Sequence, residues 1–175
     1  MTSGAKWGKV FGIGRKLPKR SSMFTENAQL FVGEFRHKLD AKNRLTIPSD
    51  WRFEASDDMR SVYLAIPNPN GCITVCPPAV VQKLIEAASQ SNLSAPAKQR
   101  ALMMLARSAS KVTCDKAGRI SLDTRLLAHA GVSGEAVLVG EFKKFHIWNP
   151  DKLAEEDAKN VSAEEMFATL AELGL

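Results

Sequence analysis

The chain has 175 residues, 45% hydrophobic and 25% charged, the composition of a folded globular protein with room for one domain or two small ones. No apolar run approaches the roughly 20 residues of a membrane span, and three cysteines, an odd count, do not make a disulfide framework. The net charge of +5 is unevenly spread: residues 1–22 carry +6, residues 23–150 carry +4, and the stretch from Asp151 onward carries −5.

Residues 1–22 hold Lys6, Lys9, Arg15, Lys16, Lys19 and Arg20, no acid and no hydrophobic periodicity, and read as a disordered basic extension. Their segment "WGKVFGIG" is too short and too broken by glycine for a signal-peptide core, so the expected address is the cytoplasm. From Phe31 the pattern is extended. Phe31, Gly33, Phe35, His37 and Leu39 fall on one side and Glu34, Arg36 and Lys38 on the other, as in a half-buried strand. A loop leads to the strand "RLTIP"; Pro48 stops it, and Ser49 is placed to cap a short helix, "DWRFEA".

"SVYLAIP" and "CITVC" are the next strands, joined by the turn chemistry of "PNPNG". Pro77 or Pro78 then opens a helix, "AVVQKLIEAAS", followed by the linker "SNLSAP" and a second amphipathic helix, "AKQRALMMLARSA". The order then starts again. "SKVTC" is extended, "DKAGR" is a loop and "ISL" a strand. Asp123 caps "TRLLAHA", and Gly131 ends it in the left-handed region. "EAVLVGE" and "KKFHIWN" are strands, Pro150 opens "DKLAEEDA", and "SAEEMFATLAEL" is a helix with an acidic face.

The repetition keeps register. Asp40 and Arg44 recur as Asp115 and Arg119, 75 residues on; Leu64–Ile66 recurs as Val137–Val139 and Cys72–Pro77 as Phe145–Pro150, 73 residues on. An internal repeat decides architecture ahead of local detail. The expected organisation is a basic extension (1–22), a first half (23–93), a linking helix (94–110), a second half (111–160) and an acidic helical tail (161–175). The fold is expected to be mainly β with flanking helices, its two half-barrels folded onto one another.

The loops "DAKNR" and "DKAGR" suit a type I turn closed by one left-handed residue. Asn43 and Gly118 occupy that position, and Asp40 and Asp115 can accept hydrogen bonds from amides inside the turn. On turn chemistry alone, Arg44 and Arg119 are surface residues or partners of the aspartates. Yet such a turn does not require arginine next, and a rigid tip carrying Arg44 with Lys42, or Arg119 with Lys116, suits phosphate or guanine contact. Arg36 and Lys38 lie on the strand entering the first loop.

"FVGEFRHKLDAKNRLTIPSDWR", "DKAGRISLD" and "VLVGEFKKFHIWNP" resemble the MraZ family of bacterial transcriptional regulators, from about Met23 to about Asn160. Two tandem Asp-x-x-x-Arg motifs form a specific signature where one would be weak. The resemblance implies a tandem AbrB-like swapped-hairpin fold about a pseudo-two-fold axis, and a ring-forming homo-oligomer. It also implies binding to short direct repeats in promoter DNA upstream of the division and cell-wall gene cluster. The family's motif residues map onto Asp40, Arg44, Asp115 and Arg119. Departures are Asn43 where glycine usually precedes the arginine, and Asp123 where proline usually follows the second motif. Members usually begin near the position of Met23, so residues 1–22 are an addition or Met23 is the true start. The acidic tail lies beyond what the resemblance explains.

Other candidates are set aside. Cys72 and Cys76 stand at opposite ends of one strand, about 13 Å apart by strand rise, too far for a shared zinc. Cys114 abuts the second loop, and the cysteines read as buried or semi-buried free thiols. His37, His129 and His146 are scattered with no nucleophile motif beside them. Gly8, Gly12 and Gly14 lack the spacing of a dinucleotide loop. Trp51 and Trp148 read as core or interface, and Met103 and Met104 as packing. "KLIEAA" and "RALMMLA" either form a subunit interface or cap the barrel ends.

The expectation is a nucleoid-associated regulator of double-stranded DNA with no enzymatic activity, cofactor, metal, membrane or small-molecule substrate. Arg44 with Lys42 and Arg36 leads, Lys38 lies nearby, and Arg119 with Lys116 is the counterpart. The alternative is an oligomeric scaffold or antitoxin-like interaction module on the same fold.

Overall fold

The computed structural model of the chain describes residues 29–52, 62–90, 96–159 and 162–174. The expectations for residues 1–22, for the end of "DWRFEA" and for most of the "SNLSAP" linker fall outside them. The elements run β1 (Glu34–Lys38), β2 (Arg44–Thr46), a 3-10 turn (Ser49–Trp51), β3 (Val62–Pro67), β4 (Ile73–Cys76), α1 (Pro78–Gln90) and α2 (Pro96–Ser108). They continue as β5 (Ser110–Thr113), β6 (Arg119–Ser121), α3 (Thr124–Ala130), β7 (Glu135–Glu141), β8 (Lys144–Trp148), α4 (Pro150–Asp157) and α5 (Ala163–Glu172). The second set of seven repeats the first in order, with α3 in the place of the 3-10 turn.

The strands exchange between the sets. One sheet has the order β1-β7-β8-β4-β3-β5, and β2 pairs with β6 in a separate ribbon. All ladders are antiparallel. Swapping each strand for its counterpart reverses the sheet order and leaves it unchanged, so a pseudo-two-fold axis runs between β4 and β8. It leaves through the ribbon at Leu45, which pairs with Ile120, its own counterpart.

Strand alternation explains the core. Leu45 and Ile47 from the first half, Ile120 and Leu122 from the second, and Leu126 and Leu127 of α3 join Phe31, Trp51, Tyr63 and Phe145 in one buried cluster. Trp51 packs its ring 5.1 Å from Phe145 and edge-on to Phe31 at 5.6 Å, and the Tyr63 hydroxyl donates to the Trp51 carbonyl at 2.8 Å. Gly140 lets strands meet closely, since a Cβ there would lie 2.5 Å from the Phe31 backbone. Trp148, Cys72, Val137 and Leu153 form a smaller cluster under α4.

Helix ends follow their sequence signals. Asp123 accepts from the Arg125 amide at the start of α3, Gly131 closes it at φ 68°, and the Asn149 side chain caps α4. Ser162 and Glu165 form a capping box on α5. Ser49 does not behave as expected: Pro48 takes the cap position, its ring leaving no side-chain acceptor, and the turn is 3-10. Met103 and Met104 are not packed within the chain either; they are 54% and 71% exposed. Leu102 and Leu105 supply the half-buried side of α2 instead.

Cys72 and Cys76 are buried and Cys114 is half-buried, all as thiols. Burial pushes the Cys72 thiol up to about 11 and raises Cys76 and Cys114. Among the described residues, no three His, Cys, Asp or Glu side chains gather as a metal site would need, and no helix is long and apolar enough to cross a membrane.

Candidate nucleic-acid interface

Both repeated loops adopt the expected turn. Asn43 donates to the Asp40 carbonyl at 3.0 Å, Asp40 to the Arg44 carbonyl at 3.0 Å, and Asn43 sits at φ 57°. Gly118 donates to the Asp115 carbonyl at 2.9 Å, Asp115 to the Arg119 carbonyl at 2.8 Å, and Gly118 sits at φ 76°. The strands on either side of each loop then diverge. β1 joins β7 and β2 joins β6, so the hairpin closes only at its tip.

The aspartates fix each tip from inside. Oδ1 of Asp40 accepts from the amides of Lys42 at 2.8 Å and Arg44 at 3.0 Å, and Oδ2 accepts from Arg44 Nε at 2.6 Å. Oδ1 of Asp115 accepts from the amides of Ala117 and Arg119, both at 2.9 Å, and Oδ2 takes Arg119 Nε at 3.0 Å and Nη2 at 2.9 Å. Partial burial pushes the Asp40 carboxyl up, but the Arg44 and Lys42 amides and the Arg44 guanidinium outweigh it and hold it below the ordinary range. For Asp115 the Arg119 amide and guanidinium come first, with the Ala117 amide assisting, against a lesser push from burial.

Of the two readings that turn chemistry allowed, the structure shows the arginines as partners of the aspartates, so they are not left over once the turn is explained. Each occupies the carboxylate oxygen that the backbone amides do not fill, in a charge-assisted contact. An aspartate that accepts amides at one oxygen leaves the other requiring a donor, and the arginine four residues on reaches it.

The axis brings the tips together. Ile47 donates to the Gly118 carbonyl at 2.9 Å, and Leu122 donates to the Asn43 carbonyl at 3.0 Å, two equivalent bonds across the halves. Arg119 Nη1 also reaches within 3.9 Å of Asp40 Oδ2. Asp40, Arg44, Asp115 and Arg119 therefore share one face.

Of the other expected cations, Lys42 and Lys116 are exposed on the turns themselves. Arg36 and Lys38 lie along β1; Arg36 is 3.8 Å from Glu34, and Lys38 stands opposite Glu135 in register. Arg52 was missed. It follows the 3-10 turn, its Nε donates to the Ile47 carbonyl at 2.8 Å, and its guanidinium lies against the second loop. A Cβ on Gly118 would stand 2.1 Å from Arg52 Cζ. The signal was the difference between the loops: glycine stands where the first loop has asparagine, and it leaves room for an arginine from the other half.

Two exchanged β halves, each bearing one such Asp–Arg turn, define a tandem AbrB-like swapped-hairpin unit. Known proteins narrow this class. The model of the MraZ protein, an antitoxin-like family, matches the chain twice, over residues 30–104 and 105–171. The chain is 34% identical over 143 residues to the transcriptional regulator MraZ of Pediococcus pentosaceus, covering 82% of this chain and 95% of that one. It is 32% identical over 145 residues to the protein of the same name from Thermomicrobium roseum, covering 81% and 99%. It is 27% identical over 146 residues to that of Clostridium acetobutylicum, covering 83% and 100%. The chain belongs to the MraZ family. The second match reaches residue 171 and so takes in most of α5, further than the resemblance read from the sequence extends.

Proposed function

We propose that this chain is a transcription regulator that binds double-stranded DNA sequence-specifically through the shared face of its two turns. It acts as a ring of copies on short direct repeats upstream of the division and cell-wall gene cluster, in the cytoplasm at the nucleoid. The relatives are named as transcriptional regulators, which are not enzymes.

One observation carries the reading of the site: two carboxylate-anchored turns lie side by side and hold arginines in set positions on a basic body. The roles divide on charge. Arg44 and Arg119 are paired with aspartates, so they add little net charge but hold their guanidinium planes still, which favours readout of base edges. Lys42, Lys116 and Arg52 supply the phosphate attraction. One such face is a weak site, and a ring multiplies it by effective concentration, which suits DNA made of repeated short elements.

A promoter footprint with purified protein tests this. Protection of regularly spaced elements upstream of the chain's own coding region, resistant to an unrelated competitor fragment, is the expected result. Equal competition by the unrelated fragment sinks it, and leaves the antitoxin-like reading as an oligomeric partner-binding module.

A further inference from the structure

The two helices that end the repeats bury little, as does α1, whose residues 78–89 include no buried side chain. Neither α2 nor α5 contains a buried residue, yet both are amphipathic. Helices of 13 and 10 residues draw most of their stability from a packed apolar face. Here Met103 and Met104 are 54% and 71% exposed on α2, and Met166, Phe167 and the neighbouring Leu173 are 50%, 65% and 71% exposed on α5.

Their charges are opposite. α2 holds Lys98, Arg100 and Arg107 and no acid; α5 holds Glu164, Glu165 and Glu172 and no base. The sets come to +3 and −3. On the outward side of α2, Arg100 and Arg107 are seven residues apart, one line on a helix, with Met103 and Met104 on its two flanks. On α5 the apolar stripe of Met166, Leu170 and Leu173 has glutamates beside it.

We propose that α2 of one copy docks on α5 of the next, methionines against the Met166–Phe167–Leu173 surface and arginines against glutamates. This rests on the self-association in the ring reading above and names its contact; it does not depend on DNA binding. Like-with-like pairing would set +3 against +3 or −3 against −3, so the face is complementary to its counterpart and not to itself. Such a contact is head-to-tail, and it closes into a ring when the rotation per copy allows. The two helices hold the same place in the order of elements of the two halves, so every copy offers one of each.

The test uses two full-length variants altered only at exposed side chains. Variant one is Arg100→Glu with Arg107→Glu; variant two is Glu164→Lys with Glu172→Lys. Sedimentation velocity of the parent is expected to give a multimer and of each variant alone a single chain, with circular dichroism unchanged. An equimolar mixture of the variants is expected to recover the parent's mass, because each acidic α2 then meets a basic α5. If the parent is multimeric and the variants keep its size, the ring reading survives and the α2–α5 contact is wrong. A mixture that stays dissociated likewise overturns the contact. A monomeric parent removes both. Parent binding to anionic phospholipid vesicles, with the variants still multimeric, would assign α2 to a membrane surface instead.

Discussion

Leu45 pairs with Ile120 across the two-stranded ribbon, and each is the other's counterpart 75 residues away. Both are fully buried, so the pseudo-axis passes through packed hydrocarbon. The two turns are held in relation to each other by this pair and by the two flanking hydrogen bonds. Leu45→Ala and Ile120→Ala should each cost about 2–5 kcal/mol in urea unfolding. The double variant should depart from additivity by at least about 0.5 kcal/mol, because both changes empty the same volume. Simple additivity would mean that the ribbon does not pack as one unit.

Gly118 combines a left-handed backbone with an arginine lying where its Cβ would be. Gly118→Ala should destabilise by about 1–2 kcal/mol from the backbone alone, with the displacement of Arg52 added. Adding Arg52→Ala should recover the second part and not the first. Asn43→Gly, at the matching position, should stay within about 1 kcal/mol of the parent. Thermal unfolding of the four proteins decides it; equal effects at 43 and 118 would contradict the asymmetry described for the loops.

The proposed division of roles on the turn face separates two kinds of variant. Lys42→Ala should lower the slope of log affinity against log salt by about 1 while leaving sequence preference intact. Arg44→Lys keeps the charge but loses the planar fork, so specific retardation should fall with little change in slope. Removing residues 1–22 should flatten the slope if that basic segment attracts phosphate. Gel shifts across a salt series read all three, and a Lys42→Ala protein that loses specificity would reverse the assignment.

Asp40 and Asp115 titrate below the ordinary carboxylate value in the folded chain. A depressed folded value means that the clamp's stabilisation is complete above the unfolded value of about 3.9 and disappears as pH falls through the folded one. Carboxyl NMR titration should place both midpoints below those of a peptide carrying the same loop. Midpoints matching the peptide would mean that the carboxylates do not hold the turns.

With its thiol raised to about 11, Cys72 is almost wholly protonated at pH 8. Alkylation of the native protein at that pH should leave Cys72 unmodified on a timescale that labels it fully in urea. Fast native labelling would show that β4 opens readily beside β8.

Much of this was legible because the responsible forces are local. Asn43 and Gly118 announced left-handed turns, Asp123 and Gly131 bounded α3, and the 75- and 73-residue offsets aligned the halves. Partner choice was not legible in that way. Period-two alternation says which face of β1 is apolar, yet not that the strand pairs with β7; the exchange came from the family resemblance. Turn chemistry allowed Arg44 to pair with Asp40 but did not choose that over a free surface position, since it uses one carboxylate oxygen and is silent on the other. Helical periodicity ranked Met103 as packing because it marks an apolar residue without saying whether anything covers it. Arg52 needed a contact between halves, which no spacing in one repeat can express.

The exchange of strands has a consequence for how the two halves can change over time. A free-standing half would have to find a second copy of itself, and that homodimer would present two identical tips, suited to a palindrome. Here the halves are covalently joined, so a substitution in one is not copied into the other. Asn43 stands in one tip, while Gly118 lies beneath an arginine in the other. The fusion joins two halves that can differ on a single chain, so the face formed by the two turns need not be the same in both directions.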